Sequence, residues 1–233
     1  MSYTITQDNI LSVRADAAVI CIENTMAISE DPASQALGGA GGEALRKALR
    51  RRRFLPVGSA CVIEPYDLPF KRLFAVGAPQ WRNGESNELL VLRRCYESIY
   101  YLAHETGSEN LVMPFLSTAY YRFPLEEAIQ IAREEARRAG INTIFLAATP
   151  KLYAMSRKPY RKPGIVSYVG YYRDYAVFQL DNGLYAHIDV RPELRSVSIR
   201  PYVEPCYYVE ADPSMRQRTL EEIACLRAIY EDG

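Results

Sequence analysis

The sequence predicts an α/β protein in which helices cover both faces of a parallel or mixed sheet. Short apolar runs alternate with amphipathic stretches over the first 150 residues, in the order β-α-β-β-α-β-α-β. One run, Ala17–Ile22, is apolar throughout, which is typical of a strand buried on both faces of a parallel sheet. Strands and helices that alternate in this way form a layered sandwich.

The elements of this first part follow from their apolar patterns and from the residues that end them. Strands are predicted over short apolar runs: Ala17–Ile22, Ser59–Ile63, Leu73–Val76, Leu111–Pro114 and Ile141–Ala148. Helices are predicted where apolar residues recur every three or four positions: Pro32–Arg52, Asn87–Thr106 and Leu125–Ala139. Gly107 and Gly140 end the last two helices. We interpret the glycines between positions 38 and 42 as an interruption of the first helix.

Composition changes after about residue 156, where a basic, proline-containing stretch reads as a linker. The residues from Tyr160 onward hold 10 of the 18 tyrosines. The predicted strands of this region are Val166–Val169, Tyr175–Leu180, Leu184–Val190, Val197–Ile199 and Tyr207–Glu210. A short helix, Thr219–Tyr230, closes the chain, and Thr219 with Glu222 matches a capping box. We therefore predict an α/β domain over 1–156 and a tyrosine-rich, β-rich appendage over 157–233.

The composition of the chain also argues against several classes of function. Lys and Arg together number 28, as do Asp and Glu, and this balance argues against a dedicated nucleic-acid binder. No apolar run reaches the length of a membrane span, and the first residues lack the features of a signal peptide. Five scattered cysteines without a CxxC pair, and only two histidines, predict no zinc site and no histidine triad. We expect a cytoplasmic protein without membrane, metal or cofactor.

The most informative segment is Leu111–Pro124, which reads as a strand, a loop and the start of a helix. Ligands of open α/β sheets bind at the carboxyl ends of strands, and helix N-termini favour anions such as phosphate. The loop offers hydroxyl groups and aromatic rings: Ser117, Thr118, Tyr120, Tyr121 and Phe123. This combination suits a ligand with a phosphate and a base, such as a nucleotide. The alternative is a plain connection with packed aromatics.

Six short segments of the first part of the chain carry a resemblance to a known family: Gln7–Ile10, Asp16–Val19, Pro56–Ala60, Leu68–Pro69, Ala75–Trp81 and Met113–Pro124. In their order and spacing they resemble the motifs of the macrodomain family of ADP-ribose-binding proteins. The resemblance covers roughly residues 3–155. It implies a macrodomain-like three-layer α/β/α sandwich with a mixed sheet.

The resemblance also implies roles for individual residues. Asp8 or Asn9, with Ile10, would hold the adenine, and the motif leaves the register between Asp8 and Asn9 open. The loop that wraps the diphosphate corresponds to Ser117, Thr118, Ala119, Tyr120 and Tyr121, with Phe123 beside the distal ribose. Tyr153 would stack on the adenine, or it packs against the C-terminal segment instead.

Two departures from the family pattern concern the phosphate side of the site. The Asn-Ala-Ala-Asn turn of the family corresponds to Cys21–Asn24, and its glycine-rich loop corresponds to Met26–Pro32, which has no glycine. The acids in this region, Glu23, Glu30 and Asp31, would oppose a diphosphate at close range, unless they form a solvated loop. Arg122 could offset part of that repulsion.

Three functions follow from this comparison. The first is a binding module for ADP-ribose or a related nucleotide, with ADP-ribose or an ADP-ribosylated protein as its partner. The second is an enzyme, either an ADP-ribosyl hydrolase or an ADP-ribose phosphatase, in which Glu23 or Asn24 positions water. The third is a scaffold without a ligand that binds a protein partner through its C-terminal region.

Overall fold

The structure is a computed structural model that describes residues 3–82, 86–119, 123–172, 175–191, 197–200 and 213–232. The chain forms two compact units. The first unit consists of Met1–Trp81 with Glu88–Tyr160, and the second consists of Arg82–Asn87 with Arg161–Gly233. The predicted boundary at residue 156 stays a prediction.

The first unit is a six-stranded sheet with helices on both faces. Its strands are β1 (Tyr3–Thr6), β2 (Ala17–Ile22), β3 (Ala60–Ile63), β4 (Arg72–Gly77), β5 (Asn110–Pro114) and β6 (Asn142–Leu146). Its α-helices are α1 (Pro32–Ala40), α2 (Gly42–Arg52), α3 (Glu88–Glu105), α4 (Leu125–Ala139) and α5 (Pro150–Ser156). The strand order is β1-β6-β5-β2-β4-β3. Only β3 runs antiparallel to its neighbour, so the predicted mixed sheet is confirmed.

Strand β2 separates two hydrophobic cores, and all six of its residues are buried. Val19 shares one core with Leu92 of α3 and Ala132 of α4. The next residue, Ile20, points to the opposite face and shares the other core with Leu37 of α1. Because successive side chains of a strand alternate between faces, a strand covered on both sides must be apolar at every position. The three-layer α/β sandwich predicted from the sequence is confirmed.

The helical region after β2 is divided in two. Helix α1 ends at Ala40 and α2 begins at Gly42, so the interruption predicted at the glycines is present. Gly42 has a φ of +58°, a left-handed conformation that glycine adopts without a steric penalty. Two elements, β1 and α5, were not predicted. No residue of β1 is fully buried, so its sequence carries no clear apolar pattern.

Asp16 joins the amino-terminal ends of three neighbouring strands. It precedes β2, and its Oδ1 accepts a hydrogen bond from Lys71 Nζ at 2.7 Å, just before β4. Its Oδ2 accepts from the backbone N–H groups of Glu109 and Asn110, at 3.1 Å each, where β5 begins. The hydrogen bond from Lys71 is the main reason that the pKa of Asp16 lies below its usual value. One carboxylate therefore sets the alignment of β2, β4 and β5.

Helices α3 and α4 are joined on one face of the sheet by an ion-pair network. The Arg93 guanidinium on α3 donates to Glu134 at 2.7 Å and to the buried Glu135 at 2.5 Å, both on α4. Partly buried ion pairs with two hydrogen bonds fix geometry more firmly than exposed pairs do. Helix α4 follows the loop after β5, so this network anchors the far side of that loop.

The second unit is built on a four-stranded antiparallel sheet. Its strands are β7 (Ile165–Tyr172), β8 (Tyr175–Leu180), β9 (Tyr185–Asp189) and β10 (Val197–Arg200), in the order β10-β9-β8-β7, and its helix is α6 (Pro213–Asp232). The predicted β-rich C-terminal region is confirmed, and Gly183, with a φ of +81°, closes the predicted hairpin between β8 and β9. The predicted strand Tyr207–Glu210 lies outside the described residues.

The predicted start of the last helix is wrong. Helix α6 begins at Pro213, so Thr219 and Glu222 lie inside the helix and do not form a capping box at its first turn. A proline fits the first turn of a helix because its missing N–H has no partner there. Near the other end of α6, the Tyr230 hydroxyl donates to the Pro163 carbonyl at 2.7 Å. This bond ties α6 to the chain that leads into β7.

Two further features are absent from the described part of the chain, a membrane-spanning helix and a metal-binding cluster. No helix there is both long and apolar enough to cross a membrane. No cluster of three or more His, Cys, Asp or Glu side chains there is placed to hold a metal ion. The described cysteines, Cys21, Cys61, Cys95 and Cys225, are free thiols.

Asp16→Ala is expected to lower the free energy of unfolding by about 1.5–3 kcal/mol, the range for hydrogen bonds to a charged group. The substitution leaves the backbone N–H groups at the start of β5 without their acceptor. Urea denaturation measures the change. Asp67→Ala removes an exposed carboxylate and should change stability by less than about 0.5 kcal/mol. Equal losses in the two variants would contradict the proposed importance of Asp16.

The contribution of Asp16 is also expected to depend on pH. Its pKa is lowered in the folded protein, so the stabilisation is complete above the unfolded pKa, about 3.9, and is lost as the pH falls through the folded pKa. The stability difference between the wild type and Asp16→Asn should therefore be constant near pH 6 and shrink below about pH 4. Denaturation at a series of pH values tests this, and a difference that does not vary with pH would rule it out.

Candidate functional site

A cavity of about 320 Å³ lies in the first unit, at the carboxyl ends of β1, β5 and β6. Its walls come from four segments: residues 7–10 after β1, residues 31–36 at the start of α1, residues 114–119 after β5 and residues 146–148 after β6. This is the edge of an open α/β sheet at which ligands bind. The volume lies within the range of small-molecule pockets.

The segment after β1 brings Asp8, Asn9 and Ile10 to the cavity wall. Asp8 is exposed, and its Oδ2 accepts a hydrogen bond from the Thr6 hydroxyl at 2.5 Å. Asn9 Oδ1 accepts from the backbone N–H of Leu11 at 3.0 Å and caps a single 3₁₀ turn over Ile10–Ser12. The Asn9 side-chain oxygen and one carboxylate oxygen of Asp8 are therefore both used within this segment, and Asp8 carries a second carboxylate oxygen. Ile10 is buried and supplies apolar surface.

The loop after β5 also reaches the cavity, through Thr118 and Ala119. The Thr118 hydroxyl donates to the Phe115 carbonyl at 2.7 Å. Ser117 is buried, has a φ of +63°, and donates its hydroxyl hydrogen to the Pro79 carbonyl at 2.7 Å. Both hydroxyl hydrogens are thus used inside the protein, and the loop is held against the chain after β4. Tyr120 and Tyr121, together with Arg122, lie outside the described residues.

Two aromatic residues predicted at the site do not line the cavity. Phe123 is buried and packs against Trp81, with ring centroids 4.9 Å apart. Tyr153 lies on α5, half-buried, with the Arg157 guanidinium 5.5 Å from its ring centroid. Each ring therefore has an observed packing partner within the protein.

The turn after β2 carries Glu23 and Asn24, which were predicted to position water. Both side chains are exposed, and neither lines the cavity. The turn is closed by backbone hydrogen bonds from Glu23 N–H to the Ala27 carbonyl and from Met26 N–H to the Glu23 carbonyl. These two bonds close a compact, hairpin-like turn. The structure does not bring Glu23 and Asn24 to the cavity that Asp8 and Thr118 line.

Asp31 differs from the other acids of this region because it is buried. Glu23 and Glu30 are exposed, whereas Asp31 keeps 7% of its surface accessible, so its interpretation as part of a solvated loop is wrong. Asp31 caps α1, with Oδ1 accepting from Ser34 N–H at 2.9 Å and with proline as the next residue. An Asp followed by Pro is a common helix start, and this signal could have identified the cap.

The second oxygen of this carboxyl group, Oδ2, is buried and accepts no hydrogen bond within the described structure. Burial raises the pKa of Asp31, while hydrogen bonding from Ser34 opposes that rise. A buried polar atom without a partner is uncommon in proteins. Asp31 therefore holds an unsatisfied acceptor at the cavity wall.

A second, narrower pocket of about 10 Å³ lies beside the cavity and is lined by Cys21, Ser29 and Ser117. Asp31, Phe115 and Ala119 line both spaces. The Cys21 thiol is buried at the end of β2, and burial raises its pKa well above the usual value. The site thus consists of a main cavity and a narrow cleft, with Asp31 at the junction.

Comparison with known proteins identifies the family. The model of the Macro domain matches residues 24–132. A macro domain-containing protein of Methanosarcina mazei is 30% identical over 133 residues, which are 57% of this chain and 71% of that protein. An O-acetyl-ADP-ribose deacetylase of Escherichia fergusonii is 33% identical over 90 residues, which are 39% of this chain and 51% of that protein.

A solved macrodomain structure has a similar fold. The solved structure of the Trypanosoma brucei macrodomain in complex with ADP-ribose superposes with a TM-score of 0.59 at 20% identity, over 66% of this chain and 67% of that chain. The family match spans α1 and the loop after β5, which form two of the four cavity walls. The resemblance of the sequence motifs is thereby confirmed, and the chain belongs to the macrodomain family.

Proposed function

We propose that this chain is a binding module for ADP-ribose or a related nucleotide, and that the nucleoside part of the ligand occupies the main cavity. The observation that carries the proposal is a cavity of about 320 Å³ at the carboxyl ends of β1, β5 and β6. The solved Trypanosoma brucei macrodomain, which shares this fold, is a complex with ADP-ribose.

At the adenine end, the proposal assigns the main polar contact to Asp8. Its side chain is exposed and lines the cavity, so its carboxylate can accept a hydrogen bond from the adenine amino group. Asn9 supports this contact by capping the adjacent 3₁₀ turn. The buried side chain of Ile10 would pack against the base. The geometry thus favours Asp8 over Asn9 in the register that the sequence motif left open.

At the phosphate end, the proposal assigns contacts to backbone N–H groups of the loop at Ser117, Thr118 and Ala119. The hydroxyl hydrogens of Ser117 and Thr118 are already bonded to carbonyl groups, which leaves the backbone as the donor. Contacts from Tyr120 and Tyr121 remain predictions. Phe123 would act indirectly, by packing on Trp81 and holding the end of the loop.

Hydrolysis of an ADP-ribose derivative is a second candidate function, because one relative is named an O-acetyl-ADP-ribose deacetylase. Glu23 and Asn24 remain the residues proposed to position water, although they lie in an exposed turn outside the cavity lining. Turnover of ADP-ribosylated protein that is lost in Glu23→Gln would support this alternative. A stacking role for Tyr153 has no support from the cavity lining.

We also propose a cytoplasmic location for this chain and a protein as its partner. Four described cysteines are free thiols, which suits the reducing environment of the cytoplasm. An ADP-ribosylated protein is a second form of the proposed ligand. The scaffold alternative keeps the C-terminal region as a surface for a protein partner.

Asp8→Ala is expected to weaken ADP-ribose binding by about tenfold or more, which corresponds to about 1.4 kcal/mol and to the loss of one hydrogen bond to a charged group. Isothermal titration measures the affinity. AMP should be weakened by the same factor because it carries the same base. Asp67→Ala, an exposed carboxylate outside the cavity, is the matched control. An unchanged affinity for Asp8→Ala would remove Asp8 from the proposed adenine contact.

Ala36→Leu is expected to abolish nucleotide binding while leaving the melting temperature nearly unchanged. Ala36 is half-buried on α1 and lines the cavity, so a larger side chain fills space that the ligand needs. Ala40→Leu places the same side chain at an exposed position of the same helix and should bind as the wild type does. Titration of both variants, with thermal denaturation as the folding control, locates the ligand. Full affinity in Ala36→Leu would place the ligand elsewhere.

A further inference from the structure

Asp31 lies where the cavity, the cleft and the loop after β5 meet. It lines both spaces, and so do Phe115 and Ala119 of that loop. A ligand that occupies the main cavity and extends along the loop must therefore pass the Asp31 carboxyl group. The same loop is where the proposed function puts the phosphate groups.

The N-terminus of α1 is already used by the chain's own carboxyl group. Helix N-termini attract anions through their free N–H groups and the helix dipole. Here Asp31 Oδ1 accepts from Ser34 N–H at 2.9 Å, so an internal carboxylate takes the place in which a phosphate would bind. The described residues that line the two spaces include two acids, Asp8 and Asp31, and no Lys, Arg or His.

The unsatisfied Oδ2 atom of Asp31 indicates which chemical group of a ligand can bind at this junction. It is buried and lacks a hydrogen-bond donor within the described structure. A hydroxyl group of a ligand would satisfy it, whereas a phosphate oxygen would add a second acceptor and a like charge. Ribose offers hydroxyl donors next to the base that the cavity is proposed to hold.

We propose that Asp31 determines the ligand class of this site, selecting a ribonucleoside that donates a hydroxyl hydrogen to Oδ2 and disfavouring a diphosphate at the junction. This inference rests on the proposed nucleotide-binding function. Within that function, it makes Asp31 a specificity-determining residue whose negative charge weakens the binding of ADP-ribose.

Asp31→Asn tests the inference because asparagine caps helices about as well as aspartate but carries no charge. At pH 7.5, isothermal titration is expected to show ADP-ribose bound at least about tenfold more tightly by Asp31→Asn than by the wild type. Adenosine should gain no affinity. Glu30→Gln removes one charge from the adjacent, exposed residue and should leave both affinities unchanged. Asp31→Ser, which also keeps a capping oxygen, replaces Asp31→Asn if that variant does not fold.

The pH dependence provides a second measurement. Protonation of Asp31, whose pKa is raised by burial, should strengthen ADP-ribose binding by the wild type as the pH falls from neutral toward the pKa of that carboxyl group. The other titratable groups around the junction are Cys21 on β2, Asp8 after β1 and the exposed Glu30. All three are retained in Asp31→Asn, so the trend should be absent from that variant if Asp31 causes it.

Equal affinity of the wild type and Asp31→Asn for ADP-ribose would overturn the inference and leave the proposed function intact. An equal gain in Glu30→Gln would also overturn it, because the effect would then be one of net charge. Failure of every protein to bind either ADP-ribose or adenosine would overturn both the inference and the proposed function.

Discussion

The burial of β2 on both faces is the constraint on which the first unit depends. Its six residues are all buried, so two layers of helices must cover them. Helices α1 and α2 contribute to one core, and α3 and α4 contribute to the other. The connections that lead to these helices leave from the carboxyl ends of the parallel strands. Because such connections line the cavity, the cavity lies at the edge of the sheet that is formed by the carboxyl ends of the strands.

Much of this arrangement could be predicted because it depends on apolar patterns. The bounds predicted for β2, β8 and α4 agree with the structure, since each segment has a regular pattern and clear ends. Strand β1 was missed because none of its residues is fully buried. The start of α6 was misplaced at the Thr219 capping pattern, although Pro213, which fits the first turn of a helix, marks the observed start. The same limit applies to Asp31, because a sequence shows a charge and a capping pattern but does not show whether a side chain is buried.

The residues of the candidate site could likewise be predicted only in part. Motif resemblance placed Asp8, Asn9, Thr118 and Ala119 in segments that do line the cavity, because the carboxyl end of a strand fixes where the next residues lie. Side chains in turns and helices farther along the chain are less constrained. The turn at Glu23 is closed by its own backbone bonds, and a sequence gives no reliable measure of where such a turn points.

The Asp16 network lies at the amino-terminal ends of the strands, at the edge of the sheet opposite the cavity. Its bonds run to Lys71, Glu109 and Asn110, none of which lines the cavity. Because effects of distant residues on stability are nearly additive, substitutions in the ligand loops need not disturb this network. The fold can thus accumulate changes in its ligand loops and diverge in ligand preference while its scaffold is retained.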